Sequence, residues 1–315
     1  MTTPLWFWVG FNLFVFVLLA IDLGVFHRRP HRIEVGEALL TSLGFVLLAA
    51  LFGAGVWKVA GYQKGLEFAT GYLIEWGLSL DNIFIIALIF RHFEVPASSQ
   101  HRVLFWGIMG ALVMRGVLIL LGTTLIHEFY WAIYLFGAFL VVTGGKLLLV
   151  SSAEPDLASN VVLRLARTHI RITNGYHGAA FFVLEGGVRQ ATPLLLVLLV
   201  IETSDLMFAL DSVPAIFAIT DDSFIVYTSN VFAILGLRSL YFALSAFVER
   251  MVYLKYGLSL VLVFVGIKML LADLWPVPTV LALGVTAMLI GGSIVISILA
   301  NWRNVPLGQE PNNPE

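Results

Sequence analysis

The feature that most constrains the fold of this chain is a series of about nine apolar stretches, separated by short polar segments. A helix of about 20 apolar residues crosses a bilayer, whereas strands of a membrane barrel alternate and have about 10 residues. Charged residues make up 12% of the chain, against roughly 25% in soluble domains. We therefore predict an all-α polytopic membrane bundle with about nine transmembrane helices. The predicted spans are 5–26, 38–60, 66–90, 102–126, 130–150, 192–219, 224–247, 255–274 and 277–300.

The cations outside these spans or at their ends are distributed unequally. With nine spans, twelve fall on one side of the membrane and two, Lys58 and Lys64, on the other. Cytoplasmic segments carry the excess of Lys and Arg, which predicts a multi-pass protein of a bacterial-type inner (plasma) membrane, N-terminus outside and C-terminus cytoplasmic. The first span lacks a basic start, which favours an anchor over a cleaved signal peptide. The twelve cations are Arg28, Arg29, Arg32, Arg91, Arg102, Arg164, Arg167, Arg171, Arg189, Arg250, Lys255 and Arg303.

Charged residues inside the spans mark an internal repeat. Aspartate, arginine and lysine occur in the same order, one per span, in spans three to five and again in spans six to eight. Because the offset is three spans, the second copy crosses the membrane in the opposite sense. This predicts an inverted 3+3 helix repeat, with a site at the repeat interface near the midplane. The matching segments are LSLDNIF (78–84) with FALDSVP (208–214), GALVMRG (110–116) with AILGLRS (233–239), and VVTGGKLLL (141–149) with VFVGIKMLL (263–271).

The spans and the repeat together predict the organisation of the chain. The linker between the repeats contains NVVLRLARTHIRI (160–172), typical of a basic amphipathic helix on the membrane surface, and AAFFVLEGGVRQAT (179–192), typical of a small hairpin. A solvated linker without either element is the alternative. The predicted parts are two N-terminal helices (1–60), repeat 1 (61–150), a cytoplasmic linker (151–191), repeat 2 (192–274), a last helix (275–300) and a cytoplasmic tail (301–315).

Five acidic residues lie in the interior of the first spans of the two repeats, away from the span ends. A carboxylate at mid-membrane costs about 2.5–3.5 kcal/mol, so each needs a function or a partner. Four intramembrane cations face them, which leaves one negative charge if all are ionised and suits a site that binds and releases a divalent cation. Structural ion pairing is the alternative. The acids are Glu75, Asp81, Glu202, Asp205 and Asp211, and the charge-balancing residues are Arg115, Lys146, Arg238, Lys268 and Asp22.

The spacing of the acids predicts that both acid-bearing helices are broken near the midplane. Glu75 and Asp81 are six residues apart, as are Asp205 and Asp211. On a straight helix, six residues place two side chains about 120° apart, so they would not converge. Pro214 supplies a break beside Asp211, because it lacks an N–H and clashes with the preceding turn.

Carbonyl oxygens at such breaks would complete an all-oxygen cation site. Oxygen donors suit Mn²⁺, Ca²⁺ or Mg²⁺, and no permanently bound cofactor is predicted. Met207 is a candidate soft contact that favours Mn²⁺, with packing as the alternative. Ser79 and Asn82 compete for backbone hydrogen bonds beside Asp81. The additional candidate metal contacts are Ser79, Asn82, Met207, Leu210 and Ser212.

Five long motifs give the chain a family resemblance. They are IDLGVFHRRPH (21–31), EWGLSLDNIFI (75–85), FWGIMGALVMRG (105–116), ETSDLMFALDSVPAIFAIT (202–220) and ILGLRSLYFAL (234–244). Over nearly its whole length the chain resembles the TerC family of integral membrane proteins. The resemblance implies membership of a wider LysE-type exporter superfamily and a role in metal-ion homeostasis, chiefly manganese efflux. Calcium and tellurium resistance are also associated with the family name. It also implies that the five intramembrane acids are the functional residues.

These features favour transport over catalysis. The chain has no cysteine, which excludes thiol chemistry, and no Walker A sequence, which excludes an ATP-driven pump. We expect a secondary transporter and not an enzyme. The transporter would export Mn²⁺, with Ca²⁺ or Mg²⁺ less favoured, in exchange for protons. The expected partners are the metal ion, the lipid bilayer and other membrane complexes, without nucleic acid. The alternatives are a non-transporting metal-binding subunit that delivers metal to secreted enzymes, or a calcium- or tellurium-resistance factor.

The charge asymmetry generates a topology prediction. A reporter fused after Arg303 should be cytoplasmic, and one inserted between Asp221 and Asp222 should lie outside, because an odd number of spans separates the termini. Paired reporters that are active on opposite sides of the membrane measure both positions. A cytoplasmic signal at Asp221 would contradict the inverted repeat.

Overall fold

The computed structural model describes residues 4–21, 35–129, 131–149, 168, 170–185, 187–244, 253–275 and 277–303. These residues form ten helices and one two-stranded sheet. The helices of the first half are α1 (Leu5–Ile21), α2 (Val35–Ala60), α3 (Tyr62–His92), α4 (Ala97–Glu128) and α5 (Ala132–Leu149). A hairpin of β1 (Phe182–Glu185) and β2 (Val188–Ala191) follows. The helices of the second half are α6 (Pro193–Phe217), α7 (Ser223–Leu235), α8 (Leu237–Leu244), α9 (Leu254–Leu270) and α10 (Thr279–Arg303).

The helices confirm a polytopic helical membrane protein. Seven segments of the described chain are long and apolar enough to cross a bilayer, namely α2 to α6, the α7–α8 pair and α10. The helices α1 and α9 have 17 residues each, about 25 Å at the helical rise, slightly less than the ~30 Å hydrocarbon core. The count of nine spans stays a prediction.

The two acid-bearing helices are continuous, so the predicted breaks beside Asp81 and Asp211 are wrong. The helix α3 runs without interruption from Tyr62 to His92, and α6 from Pro193 to Phe217. Pro214 is tolerated because it lies in the last turn of α6. Proline cannot donate a backbone hydrogen bond, but the helix ends soon after it, so little of the helix depends on that bond. An interruption occurs instead between α7 and α8, at Gly236.

The most buried helix segments are α3 and the α7–α8 pair, and they form the centre of the bundle. Ile74, Leu80 and Ile83 of α3 are buried in the main apolar cluster. A second cluster joins α1 and α2 to α7, where the ring of Phe232 lies 5.8 Å from Phe11 and 4.8 Å from Phe52 between centroids. The outer surfaces of the peripheral helices are rich in exposed apolar side chains, as expected for a lipid-facing surface.

Helices of the two predicted repeats pack in reciprocal pairs. The helix α3 packs against α7 as α4 packs against α6, and α5 pairs with α9. The first helix of each set thus contacts the second helix of the other, while the third helices contact each other. Reciprocal contacts of this kind are what a two-fold relation between two units requires.

Glycines allow the close approach of α5 and α9. A Cβ atom built on Gly266 would lie 2.7 Å from the carbonyl oxygen of Gly137, so the two backbones are in contact there. A Cβ atom on Gly144 would lie 2.8 Å from the carbonyl oxygen of Ser259. Small residues at these crossings let the helices pack at short distance, which is the usual basis of helix association in membranes.

The predicted hairpin is present between the two halves of the chain. Strands β1 and β2 pair antiparallel with Leu184 opposite Arg189. The hairpin segment lies against the junction of α3 and α4, where Tyr176 Oη donates to the carbonyl of Phe93 over 2.5 Å and Ser99 Oγ donates to the carbonyl of Gly178 over 3.1 Å. The predicted amphipathic helix at 160–172 lies mostly outside the described residues.

The α5–α9 crossing generates a paired prediction. Gly144→Ala should destabilise the protein by about 1–3 kcal/mol, because its methyl group overlaps backbone and side-chain atoms of α9. The control is Gly145→Ala, at which a Cβ meets no atom within 4 Å. This control should be neutral or stabilising by up to about 1 kcal/mol, because alanine favours the helix. Thermal unfolding in detergent measures both, and equal effects would contradict the close crossing.

Candidate functional site

The centre of the bundle contains a buried arginine. Arg115 lies in the middle of α4, and it is only 2% exposed. Its guanidinium forms ion pairs with Glu75 of α3, through Nη1, and with Asp205 of α6, through Nη2 at 3.1 Å from Oδ1. One cation therefore joins two of the predicted acids, and it does so across three helices.

The remaining donors of Arg115 are also engaged. Nε donates to Oδ2 of Asp205 over 3.4 Å, which makes this pair bidentate. Nη1 donates to Ser212 Oγ over 3.3 Å and to Asn230 Oδ1 over 3.2 Å. Asn230 belongs to α7, so the guanidinium connects four helices.

Two amides complete the network around the acids. Asn230 Nδ2 donates to Glu75 Oε2 over 3.1 Å, and Asn82 Nδ2 donates to Asp205 Oδ1 over 3.2 Å. Asp205 thus accepts from the arginine and from one amide, and Glu75 is ion-paired with the arginine and accepts from the other amide. Buried charges are tolerated when they are paired and hydrogen-bonded in this way.

A spacing of seven residues explains why straight helices build this site. Glu75 and Asn82 of α3 are seven residues apart, as are Asp205 and Ser212 of α6. Seven residues return a helix to within about 20° of the same direction, so each pair lies on one face. Glu75, Asp205 and Ser212 contact Arg115, and Asn82 contacts Asp205. The predicted breaks followed from the six-residue spacing of the acids, whereas α3 and α6 are continuous.

The third acid with a described side chain, Glu202, lies beside this network. It is one turn before Asp205 on α6, and its carboxylate packs against Gly110 of α4, where any Cβ would overlap it. Among the described side chains, no three acidic or histidine residues converge as a metal-binding group. The physical reason is that Arg115 stands between Glu75 and Asp205. The side chains of Asp81 and Asp211 lie outside the described residues.

Several predicted contacts lie away from the centre. Met207 and Leu210 project from the outer side of α6, where they are 67% and 49% exposed. Lys146 is exposed on α5, and Lys268 Nζ donates to the carbonyl of Ala218 over 2.8 Å. Among the described side chains, neither a soft contact of Met207 with the central site nor pairing of these lysines with the predicted acids is seen. Ser79 and Arg238 are buried in α3 and α8, and Asp22 lies outside the described residues.

A cavity adjoins Asp205 on one side of the network. Its volume is about 30 Å³, enough for about one or two water molecules, and it opens to the exterior on part of its surface. Its polar lining consists of Asn82, Ser204 and Asp205, and the remaining lining residues are apolar side chains and one glycine of the same central helices. It includes Leu104 near the start of α4, so it lies on the side of Arg115 that faces the hairpin end of the bundle.

A second polar network joins helices at the opposite end of the bundle. Glu67 of α3 is buried, accepts from Thr220 Oγ1 over 2.6 Å and forms an ion pair with Lys64 Nζ at 2.9 Å. Lys64 Nζ also lies 3.5 Å from Oδ2 of Asp222. These contacts attach the start of α3 to the loop after α6. Glu67 was not among the predicted site residues, although an acid three residues after a lysine in an apolar helix is a usable signal.

Asn230 was not among the predicted site residues either. This side chain is fully buried in α7 and contacts both Arg115 and Glu75. An amide in the apolar segment SFIVYTSNVFAIL was the available signal, because a polar group at membrane depth requires partners.

Comparison with known proteins places these residues in a family context. The family model described as "Integral membrane protein TerC family" matches residues 60–305. An uncharacterised membrane protein of Myxococcus xanthus is 52% identical over 299 residues, covering 95% of this chain and 93% of the relative. A protein of Escherichia coli K12 named "Putative membrane-bound redox modulator Alx" is 44% identical over 311 residues, covering 96% and 97%. No solved structure matches the chain.

The buried network generates a stability prediction. Arg115→Ala should lower the free energy of unfolding by about 3–5 kcal/mol, because it leaves Glu75 and Asp205 as buried carboxylates without their cation. Abundance in the membrane and thermal unfolding in detergent measure this effect. Lys146→Ala is the matched control, since it removes an exposed cation from α5 and should change stability by less than about 0.5 kcal/mol. Equal abundance of the two variants would contradict the role assigned to Arg115.

Proposed function

We propose that this chain, which belongs to the TerC family of integral membrane proteins, is a secondary transporter that exports Mn²⁺ from the cytoplasm. The observation that carries the proposal is the buried network of Glu75, Asp205 and Arg115 next to a cavity inside an apolar bundle. Ionisable side chains at membrane depth commonly mark the path of an ion. A wider relation to LysE-type exporters would fit this role.

The charges of the network favour a cationic substrate. Two carboxylates and one guanidinium leave one negative charge, and a further acid, Glu202, lies nearby on α6. Asp81 directly precedes Asn82, which donates to Asp205, and Asp211 directly precedes Ser212, which accepts from Arg115. We assign Asp81, Glu202, Asp205 and Asp211 as the oxygen ligands of the transported ion. Carboxylate oxygens suit Mn²⁺, as they suit Ca²⁺ and Mg²⁺.

An inverted repeat would provide the alternation between two accessible states. The reciprocal packing of α3 on α7 and α4 on α6 supports such a repeat. Transporters with inverted repeats move one repeat against the other around a site near the midplane. The present arrangement has a cavity on one side of the network and the contacts of Glu67 on the other. In the proposed topology the cavity side is cytoplasmic, because Arg91 and Arg102 lie at that end.

We further propose that export is coupled to protons. A carboxylate that binds a proton has a weaker attraction for a divalent cation, so the two compete for the same oxygens. The outward-facing site would release Mn²⁺, bind protons and return inward with them. A gated uniporter, or exchange against another cation, is the competing mechanism.

The name of the Escherichia coli relative suggests a redox function as another candidate. The present chain has no cysteine, so it cannot exchange thiols and disulfides itself. A redox effect in cells would then follow from altered metal content. A non-transporting subunit that delivers metal to secreted enzymes, or a calcium- or tellurium-resistance factor, would share the metal site. A cavity that adjoins a buried carboxylate favours the transporter, because delivery by a subunit does not require an intramembrane path.

Flux through the purified protein tests the proposal. Proteoliposomes that contain the protein alone should transport Mn²⁺, and Asp81→Asn or Asp211→Asn should abolish the flux, because the neutral amide keeps the volume and removes the charge. Asp221→Asn, in the exposed loop after α6, is the control and should retain it. Retained transport by both Asn variants of the central acids would show that these acids are structural.

The same vesicles test the coupling. An imposed pH gradient, with the membrane potential clamped, should drive Mn²⁺ against its own gradient, and a protonophore should stop this movement. Uphill Mn²⁺ flux that responds neither to the pH gradient nor to the protonophore would exclude proton exchange. It would not contradict the proposed metal site.

A further inference from the structure

The two carboxylates that share Arg115 are not equivalent. We propose that Arg115 is a tethered counter-cation that competes with the transported ion for Asp205, while Glu75 is its permanent partner. This inference rests on the proposed export function and specifies how its site is emptied.

Access separates the two acids. The side chain of Asp205 is 14% exposed and forms part of the cavity wall, with Ser204 and Asn82 beside it. The side chain of Glu75 is 0% exposed and does not line the cavity. A cation that arrives through the cavity therefore meets Asp205 first, because Glu75 is not part of the cavity wall.

The donors of Arg115 make its contact with Asp205 exchangeable. If a cation takes Asp205, the guanidinium still has Glu75, Ser212 Oγ and Asn230 Oδ1 as acceptors. The arginine would thus remain paired, and the large cost of an isolated buried charge would be avoided. Glu75, in contrast, has no other cation among its described contacts, and its second oxygen is held by Asn230.

The same arrangement explains how the site can release its ion. A carboxylate that had lost its cation in the centre of the membrane would be a buried unpaired charge. The guanidinium can return to Asp205 as the ion leaves, since Nε and Nη2 both bind this carboxylate in the structure. Arg115 therefore lowers the affinity of the site for the ion, and it balances the charge of Asp205 when the site is empty.

Charge also favours a divalent ion in this competition. Asp205 is the acid for which the ion and Arg115 compete, and the acids proposed beside it as ligands add further negative charge. A divalent ion balances two of these charges, whereas a monovalent cation balances only one.

Two double variants of equal charge test this division of roles. Glu75→Gln/Arg115→Gln keeps Asp205, and Asp205→Asn/Arg115→Gln keeps Glu75. The first should bind Mn²⁺ on the order of tenfold more tightly than the wild type, because the competitor is gone. The second should lose Mn²⁺ binding. Binding is measured as the rise in thermal unfolding temperature of the detergent-solubilised protein with Mn²⁺ concentration, after size-exclusion chromatography and circular dichroism show that each variant is folded.

The outcomes separate this inference from the export function. If the wild type binds and transports Mn²⁺ but the two double variants behave alike, or the first binds more weakly than the wild type, the role assigned to Arg115 is overturned and the export function stands. If the wild type neither binds nor transports Mn²⁺, both fall.

A second measurement leaves Arg115 and both acids in place. The chain has no cysteine, so a single Ser204→Cys substitution provides a unique thiol in the cavity wall beside Asp205. Mn²⁺ should slow its reaction with a small maleimide, because the ion occupies the adjacent carboxylate. Unchanged reactivity in a Ser204→Cys protein that still transports Mn²⁺ would overturn access by way of Asp205.

Discussion

The burial of one guanidinium determines how the four central helices are arranged. Arg115 is enclosed by the bundle and far from bulk water, so its charge is tolerated only with acidic and polar partners within hydrogen-bond distance. Glu75, Asp205 and Asn230 come from three other helices, and each must face α4 to meet this requirement. The contacts with Arg115 therefore determine which face of α3, α6 and α7 is turned toward α4. Apolar packing alone would not specify these rotations, since most faces of the helices are hydrophobic.

The two ends of the bundle differ. A cavity adjoins the central network on the side nearer the hairpin, and Asp205 forms part of its wall. At the opposite end, Glu67 is bound by Thr220 and Lys64, and these contacts attach α3 to the loop after α6. Movement between two states would require the second network to separate while the cavity closes. Ion pairs and hydrogen bonds suit such a role, because they can be exchanged for contacts with water or with an ion.

Membership of the TerC family and the arrangement of the central residues support each other. The family match covers 60–305, which includes every residue of the Arg115 network. Full-length similarity to the relatives of Myxococcus xanthus and Escherichia coli indicates that the same membrane architecture extends across these proteins. The redox name of the second relative can be reconciled with a chain that lacks cysteine if the effect on cellular redox state is indirect, through the metal that such a site would bind.

The sequence by itself determined that the chain lies in a membrane, where its helices are, and which charged residues are candidates for the site. Hydropathy acts residue by residue, so the apolar stretches and the hairpin at 182–191 could be predicted without knowledge of the fold. Acids and cations in apolar segments were equally visible, because charge at membrane depth is costly wherever it occurs. Tertiary structure alone decided which of them meet. Arg115 and Asp205 are 90 residues apart, and Glu75 and Asn230 are 155 apart. Their contact depends on how the helices pair and on how each is rotated about its axis, which brings Glu75 and Asn82 of α3 and Asp205 and Ser212 of α6 into one network.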